Sequence, residues 1–228
     1  MKMNAYAEQK HMVYECIMGL VRDGYVQGTG GNVSMLVPGT NLVAVTPSQV
    51  EYSAMSKDDI CVVDFDLKPA EDTSFKPSME TPMHIAIYKN RPDVSAVVHT
   101  HQTYASVFSL IDTPIPALFD EAANAIGTLV EVVPYGLSGS AQLLQNVESK
   151  LGNRANCYIL KNHGALALAS TLAKARRNAE LLEKSAKVYY FALSTGKPVS
   201  VLPDEVQDLL NQIMHATQDA EIAKKNTQ

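Results

Sequence analysis

Apolar residues recur at three- and four-residue spacing along residues 5–22, with polar residues between them. This period places the apolar side chains on one face of a helix, so the stretch predicts an amphipathic first helix. Near the middle of the chain, Thr81 is a typical N-cap residue and Pro82 suits a first helical turn, so a helix is predicted from there to residues 91–93. Three further stretches also predict helices: residues 139–152, 171–194 and 204–221.

Short runs rich in valine and other apolar residues lie between these helices and predict strands. Two runs flank a Pro-Gly-containing turn at residues 38–41 and indicate a β-hairpin, and another pair is separated by a turn at residues 162–164. Because the strands cluster in the middle with helices outside, we expect an α/β/α sandwich with a central mixed, mainly antiparallel sheet. The other predicted strands are residues 61–67, 94–101 and 130–136, and residues 223–228 are predicted to be a frayed, charged tail.

The composition is that of an ordinary folded protein. With 46% apolar and 19% charged residues, the 228-residue chain can bury a continuous core, and we expect a single domain over residues 1–228. A formal net charge of −5 argues against general electrostatic binding of nucleic acid or of an anionic membrane. The sequence shows no membrane-length apolar run and no signal-peptide pattern, so we expect a cytoplasmic protein. Its three cysteines lack metal-binding spacing and are expected to be reduced, structural thiols.

Two histidines, His99 and His101, stand two residues apart at the end of a predicted strand. Residues two apart in a strand face the same side of the sheet, so both imidazoles are expected to reach one place. His163 follows another strand at a glycine turn, where a side chain can be directed into a cleft. Three neutral imidazoles with one open position are typical of a catalytic zinc site. The remaining histidines are expected to be ordinary helix residues outside this site: His11, His84 and His215.

Glu80 stands just before the helix that leads into the histidine strand. A carboxylate at a helix N-terminus is stabilised by the helix dipole. Beside a metal ion, the same carboxylate can also transfer a proton. Glu80 is therefore a candidate both for a structural role and for an acid/base role.

A glycine-rich turn at residues 28–31 precedes the first predicted strand. Such a turn can offer backbone N–H groups to a phosphate, and Asn32 and Ser34 add side-chain donors. Ser48 and Ser78 are further candidates for anion binding, aided by the N-terminus of the helix near Thr81. These residues predict a small anion-binding site.

Five motifs follow one another along nearly the whole chain: GTGGNVS, TPSQV, KPSMETPMH, AVVHTH and LKNHG. In this order they resemble the class II aldolase/adducin family. The resemblance implies a class II aldolase-like fold in which His99, His101 and His163 bind a divalent metal, usually Zn²⁺, with Mn²⁺ as the alternative. It also implies a homotetramer with active sites near the subunit interfaces.

The resemblance further implies roles for individual residues. Glu80 takes the place of the catalytic acid/base, and Gly31, Asn32, Ser48 and Ser78 take the places of phosphate-binding residues. The implied activity is that of a metal-dependent lyase, which cleaves or forms a carbon–carbon bond in a small ketose phosphate or related hydroxy-carbonyl compound through a zinc-stabilised enediolate. Burial is expected to raise the pKa of Glu80 and suit it to proton transfer near neutral pH.

Several positions depart from the pattern of the family's phosphosugar aldolases. Met79 stands where these enzymes usually have a second serine, and Gln49 stands where they tend to have glycine. Where they carry a tyrosine after the IPA turn, this chain has Phe119, Asp120 and Glu121. Asp120, or Glu121 beside it, is a candidate for the second proton-transfer group, acting from across a subunit interface; the alternative is a plain surface or helix-start carboxylate.

Glutamate at position 80 favours carbon–carbon cleavage over epimerisation, because the family's epimerases usually have aspartate there. Decarboxylases and dehydratases hold an enolate on the same metal scaffold, so they stay open as alternatives. A non-catalytic binding protein is a further alternative, suggested by Met79 and Gln49. The histidine set disfavours that last alternative, because adducin-like members of the family lack it.

Overall fold

A computed structural model of the chain describes residues 6–225 and residue 227. Within these residues the helices are α1 Ala7–Arg22, α2 Thr81–Asn90, α3 Thr103–Ile111, α4 Asp120–Ile126, α5 Ala141–Glu148, α6 Leu172–Ser194 and α7 Asp204–Lys225. The strands are β1 Asn32–Leu36, β2 Leu42–Val45, β3 Cys61–Asp64, β4 Ala96–Thr100, β5 Ile115–Pro116, β6 Leu129–Val130, β7 Val132–Val133, β8 Cys157–Leu160 and β9 Gly164–Ala169. Short 3₁₀ turns lie at Lys57–Asp59 and Leu151–Asn153.

Seven strands form one sheet in the order β3-β2-β1-β4-β9-β8-β7. Neighbouring strands are antiparallel except for β7 and β8, which run parallel. Both predicted hairpins are present, as β1–β2 and β8–β9. The predicted mixed, mainly antiparallel sheet is therefore confirmed, with the histidine-bearing strand β4 at its centre.

Helices cover both faces of the sheet and make an α/β/α sandwich. On one face α1, α3 and α6 enclose a core that includes Val33 and Val98. On the other face α2 and α5 enclose a second core that includes Val97. Because side chains alternate along a strand, His99 shares the face of Val97, and Asn32 and Ser34 lie opposite to Val33. Asn32, Ser34 and His99 therefore face α2.

The start of α2 differs by one residue from the prediction. Glu80 occupies the N-cap position, while Thr81 is the first helical residue and Pro82 lies in the first turn. The Thr81 hydroxyl donates to the carbonyl of Ser78 at 2.6 Å. The side chain of Glu80 makes no capping bond to its own helix, because its carboxylate turns towards the histidines.

The C-terminal end of α7 also differs from the prediction. Residues 223–225, which were expected in a frayed tail, continue the helix. The ammonium group of Lys225 donates to the carbonyl oxygens of Pro92 and Val94 at 2.6 and 2.8 Å, and these bonds hold the last turn in place. Residue 5 of the predicted first helix, and residues 226 and 228 of the predicted tail, lie outside the described residues.

The three cysteines are free and buried, as expected. Burial raises the pKa of Cys16 to about 12 and that of Cys61 to about 11, which keeps both thiols protonated and unreactive. Among residues 6–225 and 227, no helix has the length and apolar character needed to cross a membrane.

Candidate active site

Three histidines from adjacent strands converge at one end of the sheet. His99 lies in β4, His101 follows the last residue of β4, and His163 lies in the turn between β8 and β9. Antiparallel pairing of β4 with β9 brings that turn beside the end of β4. The ring centroids are 4.7 to 5.4 Å apart, and one nitrogen from each ring lies within 4.8 Å of the others. The structure thus brings the three predicted metal ligands together.

Two glycines make room for these rings. A Cβ at Gly164 would lie 2.7 Å from Cδ2 of His101 and 3.2 Å from Cε1 of His99. A Cβ at Gly30 would lie 2.9 Å from Nδ1 of His101. The imidazoles therefore pack directly on bare backbone, which no other residue type offers at these two positions.

The protonation of His99 suits a metal ligand. Its Nδ1 lies 3.0 Å from the carbonyl oxygen of Ala165, which can only accept, so Nδ1 carries the proton and Nε2 faces the centre of the cluster. Burial lowers the pKa of His99 to about 4, although the Glu80 carboxylate opposes this change. Burial and the nearby His163 ring also lower the pKa of His101. Both rings are therefore neutral at pH 7.

The arrangement of these nitrogens fits a divalent cation. Nε2 of His99 and Nε2 of His101 are 3.1 Å apart. At this distance either a hydrogen bond joins the two nitrogens or both nitrogens bind one cation. Three neutral imidazoles are a donor set that zinc prefers, and the Ala165 carbonyl supplies the outer hydrogen bond that usually orients such a ligand. His99, His101 and His163 therefore fit the metal that the sequence motifs imply.

The carboxylate of Glu80 is held between the histidines and two hydrogen-bond donors. Its Oε2 accepts from Nδ2 of Asn32 at 2.7 Å, and its Oε1 accepts from the hydroxyl of Ser138 at 2.9 Å. The same oxygens lie 3.2 Å from Nε2 of His99 and 3.4 Å from Nε2 of His163. Glu80 is only 6% exposed, and these contacts to both oxygens fix the orientation of its carboxylate.

The pKa of Glu80 is set by opposing effects. Burial by itself would raise the pKa, but the rings of His99 and His163 and the hydrogen bonds from Asn32 and Ser138 outweigh burial and lower it to about 2. The expected upward shift is therefore wrong. Glu80 is ionised at neutral pH, and it can begin a reaction by accepting a proton.

A cavity of about 140 Å³ opens beside Glu80, His101 and His163. All four predicted phosphate-binding residues line this cavity, together with the two residues that depart from the phosphosugar aldolase pattern: Gly31, Asn32, Ser48, Ser78, Gln49 and Met79. The backbone N–H groups of Ser48 and Ser78 are bonded to carbonyl oxygens, and the Ser78 hydroxyl oxygen accepts from the backbone N–H of Glu80 at 3.3 Å. The side-chain O–H groups of the two serines are therefore the donors that a ligand could use. The cavity thus combines hydroxyl donors, the glycine turn and the acid/base candidate in one place.

Other predicted candidates lie elsewhere. Ser34 is fully buried and bonds to His84 and Tyr88, so its predicted role as an anion donor is wrong. Asp120 begins α4 at an exposed position and does not line the cavity. Glu121 is exposed and pairs with Arg177 at 3.0 Å. A role for Asp120 or Glu121 in the site of a neighbouring subunit stays a prediction.

Sequence reasoning missed two features of the site. Ser138, which binds Glu80, lies in the loop between β7 and α5, and its only sequence signal is its place in a glycine-containing turn. His84 was expected to be an ordinary helix residue, yet it is fully buried and its Nε2 has no hydrogen-bond partner within residues 6–225 and 227. Both residues act through contacts between distant segments, which no local pattern records.

Comparisons with known proteins show related proteins along most of the chain. Residues 11–190 match the family described as Class II Aldolase and Adducin N-terminal domain. The 5-deoxy-D-ribulose 1-phosphate aldolase of Bacillus thuringiensis serovar kurstaki is 35% identical over 191 residues, which cover 83% of this chain and 88% of that protein. The L-fuculose phosphate aldolase of Escherichia coli K12 is 33% identical over 205 residues, covering 90% of this chain and 92% of that protein.

A solved structure supports the same relationship. An L-fuculose 1-phosphate aldolase superposes on this chain with a TM-score of 0.82 at 31% sequence identity, and the match covers 90% of this chain and 95% of that one. The family match over residues 11–190 includes all nine strands of the described residues and the positions of Glu80, His99, His101 and His163. The chain belongs to the class II aldolase and adducin family.

Proposed function

We propose that this protein is a zinc-dependent class II aldolase, an aldehyde-lyase that cleaves or forms a carbon–carbon bond in a small ketose phosphate. The observation that carries the proposal is the position of the Glu80 carboxylate, which lies against His99 and His163 and at the edge of a hydroxyl-lined cavity. A base beside a metal-binding cluster and an anion pocket is what reversible formation of an enediolate requires.

The three histidines have the role of holding the ion. When bound there, Zn²⁺ supplies Lewis-acid stabilisation of the negative charge that develops on the substrate oxygens, an effect worth several kcal/mol. His99 is the most constrained of the three, because it is fully buried and its Nδ1 is tied to Ala165. His101 is exposed and borders the cavity, so it is the ligand closest to entering substrate.

Glu80 has the role of moving a proton. In the condensation direction the ionised carboxylate accepts a proton from substrate carbon, and in the cleavage direction it returns that proton. Asn32 and Ser138 each donate to one carboxylate oxygen, so they hold the group in one orientation while its charge changes. Asp120 from a neighbouring subunit is our candidate for the group that exchanges the proton of the substrate hydroxyl.

The hydroxyl-lined cavity has the role of binding phosphate. Gly31, Asn32, Ser48 and Ser78 are the proposed contacts, and the relatives named above are aldolases of sugar phosphates, which supports a phosphorylated substrate. Met79 is 61% exposed at this cavity and offers no hydrogen bond, so we expect fewer phosphate contacts here than in a site with two serines.

We further propose a cytoplasmic homotetramer. Large apolar side chains remain exposed along α3 and α6 of the single chain, including Leu110, Ile111, Val188, Phe191 and Leu193. Exposed apolar surface of this kind is typical of subunit interfaces. Sedimentation of the purified protein tests this assembly directly.

The reaction is tested with a panel of substrates. Ketose 1-phosphates, including 5-deoxyribulose and fuculose 1-phosphates, and 2-keto-3-hydroxy acids are incubated with the Zn²⁺- and Mn²⁺-loaded protein, and aldehyde, CO₂, epimer and dehydration products are measured. We expect aldehyde release from a ketose phosphate, with at least a thousandfold loss of kcat in E80Q, on the order of the effect of removing an essential proton-transfer group. E205Q, an exposed change at the start of α7, is the matched control. Turnover undiminished in E80Q, or the absence of aldehyde from every ketose phosphate, refutes the proposal.

A further inference from the structure

A polar stripe runs along the buried face of α2. Glu80, His84 and Tyr88 follow one another at intervals of four residues, so they lie on one side of the helix. They are 6%, 0% and 5% exposed, and apolar neighbours such as Met83 and Ile87 surround them on the same helix. Three polar side chains in one buried row are uncommon, because each loses contact with water on folding.

A matching pair of polar residues on β1 faces this stripe. Asn32 and Ser34 are two residues apart, so both side chains point to the same face of the sheet. Asn32 donates to Glu80 at 2.7 Å, while the Ser34 hydroxyl lies 2.7 Å from Nδ1 of His84 and 2.6 Å from the hydroxyl of Tyr88. Two residues on one face of β1 are thus bonded to three successive turns of α2.

One arrangement of protons gives both hydroxyl groups of this network a partner, and it leaves the proton on Nε2 of His84 without a partner among the described residues. Burial lowers the pKa of His84 to about 3, so the ring is neutral at pH 7. Tyr88 donates its proton to Ser34, and Ser34 donates its own proton to Nδ1 of His84, which is the arrangement that gives every hydroxyl proton a partner. Ser34 is therefore the centre of the network, although it touches neither the cavity nor the metal-binding histidines.

Apolar packing alone does not set the position of α2. Hydrophobic burial has no direction of its own, so it constrains the rotation of a helix less sharply than a hydrogen bond does. Hydrogen bonds weaken steeply when their angle changes, and a buried hydroxyl left without a partner is destabilising. The bonds from Ser34 therefore select one rotation and one height of α2 on the sheet. That placement determines where Glu80, one turn before His84, directs its carboxylate.

We propose that Ser34, His84 and Tyr88 are positioning residues, which hold α2 in the orientation that directs the Glu80 carboxylate at the histidine cluster. The inference rests on the proposed function for its kinetic consequence. Its structural consequence, the place of the carboxylate, does not depend on which reaction the protein performs. A shift of about 1 Å in a reacting group lowers a rate about a hundredfold, so a modest movement of α2 is measurable.

The test compares two tyrosines that differ in what their hydroxyls hold. Y88F and S34A remove bonds of the network, whereas Y158F removes the hydroxyl of another buried tyrosine, which donates to Asn153 at 2.7 Å. We expect all three variants to lower the thermal midpoint to a similar degree. At a temperature where all are folded, Y88F and S34A lose at least about tenfold in kcat with KM within about twofold, while Y158F keeps the wild-type kcat.

Two variants of His84 separate positioning from simple packing. Asparagine can place an amide oxygen near the position of Nδ1 and accept from Ser34, whereas leucine cannot. H84N is therefore expected to retain several-fold more kcat than H84L. Zinc content is measured for every variant, and we expect one ion per chain throughout, because the three histidines are unchanged.

Crystal structures supply a readout that does not depend on activity. We expect the Glu80 carboxylate of S34A and Y88F to lose its bond to Asn32 and to move relative to the histidines, and that of Y158F to stay in place. If the wild-type protein has no aldolase activity, the proposed function fails. The position of the Glu80 carboxylate in the variant structures then still tests the inference. An unmoved carboxylate in S34A, or equal losses of kcat in Y88F and Y158F at equal stability, overturns it.

Discussion

The turn between β8 and β9 leaves no room for a side chain at Gly164, and this makes the histidine cluster sensitive to a single methyl group. In G164A the new Cβ would lie 2.7 Å from Cδ2 of His101 and 3.2 Å from Cε1 of His99, and it would also collide with the carbonyl oxygen of Thr100. Non-bonded carbon atoms prefer separations of about 3.5–4.0 Å. Moving the His101 ring by about 1 Å relieves only the side-chain contact. The collision with Thr100 also requires the backbone at residue 164 to move away from β4, to which β9 is paired, so the histidine cluster is displaced as well.

A displacement of this size has two measurable consequences. Overpacking typically destabilises a protein by about 1–3 kcal/mol, so G164A should have a lower thermal midpoint. A misplacement of about 1 Å in a catalytic group costs about a hundredfold in rate, so kcat/KM should fall by about that factor and calorimetric titration should show weaker Zn²⁺ binding.

G152A is the matched control for this experiment. A Cβ at Gly152 has nothing within 4 Å, so this variant should keep wild-type stability, Zn²⁺ affinity and turnover. Wild-type Zn²⁺ affinity and kcat/KM in G164A would show that the cluster tolerates the displacement, and that the close packing of the rings has no functional role.

Three further predictions follow from the same contacts. The double variant H99A/H101A should lose its bound Zn²⁺ by elemental analysis while keeping its far-ultraviolet circular dichroism, and one ion per chain in that variant would exclude the proposed ligands. S138A should lower kcat by about tenfold, because a hydrogen bond to a charged group contributes about 1.5–3 kcal/mol. The Ser138 hydroxyl lowers the pKa of Glu80, so its removal should raise that pKa and move the acidic limb of the pH profile of kcat/KM to higher pH. An unchanged profile contradicts this prediction. The pKa of His84, lowered to about 3, lies below the value of about 6.5 expected in the unfolded chain, so the unfolded state takes up the proton first as the pH falls. The stability contributed by neutral His84 is fully present above about pH 6.5 and decreases from there towards pH 3. The free energy of unfolding in urea should therefore fall less steeply with falling pH in H84N than in the wild type. Equal pH dependence in the two proteins would contradict the lowered pKa of His84.

Local signals in the sequence were sufficient for much of the fold. The turn residues at 38–41 and 162–164 identified both hairpins, and the three-to-four-residue spacing of apolar positions identified α1. The short helices α3 and α4 were not predicted, because nine and seven residues are too few to show a clear helical period. The N-cap of α2 was assigned one residue late, since a local rule favours Thr81 and takes no account of what the Glu80 carboxylate binds.

In the site, too, local sequence patterns predicted some features, whereas others depend on contacts between distant segments. The two-residue spacing of His99 and His101 on an apolar strand, and the placement of His163 at a glycine turn, suggested a shared site, and the order of the motifs added the resemblance that made all three metal ligands. The structure brings the three rings together. The pKa of Glu80 was expected to rise with burial, but the structure surrounds the carboxylate with Asn32 and Ser138, and the pKa falls instead. The direction of such a shift depends on partners that are distant in sequence, and no pattern near residue 80 names them.

What the sequence by itself determined is the identity of the chemical groups: three imidazoles, one carboxylate, a glycine turn and serine hydroxyls, each attached to an element whose local pattern is readable. What only the tertiary structure decided is how these groups modify one another. Antiparallel pairing of β4 with β9 brings the imidazoles together, and Asn32 and Ser138 bind the Glu80 carboxylate beside them. The physical reason is that helix and strand formation depend on neighbours a few residues away, whereas electrostatics and hydrogen-bond geometry depend on distances in space between segments far apart in the chain.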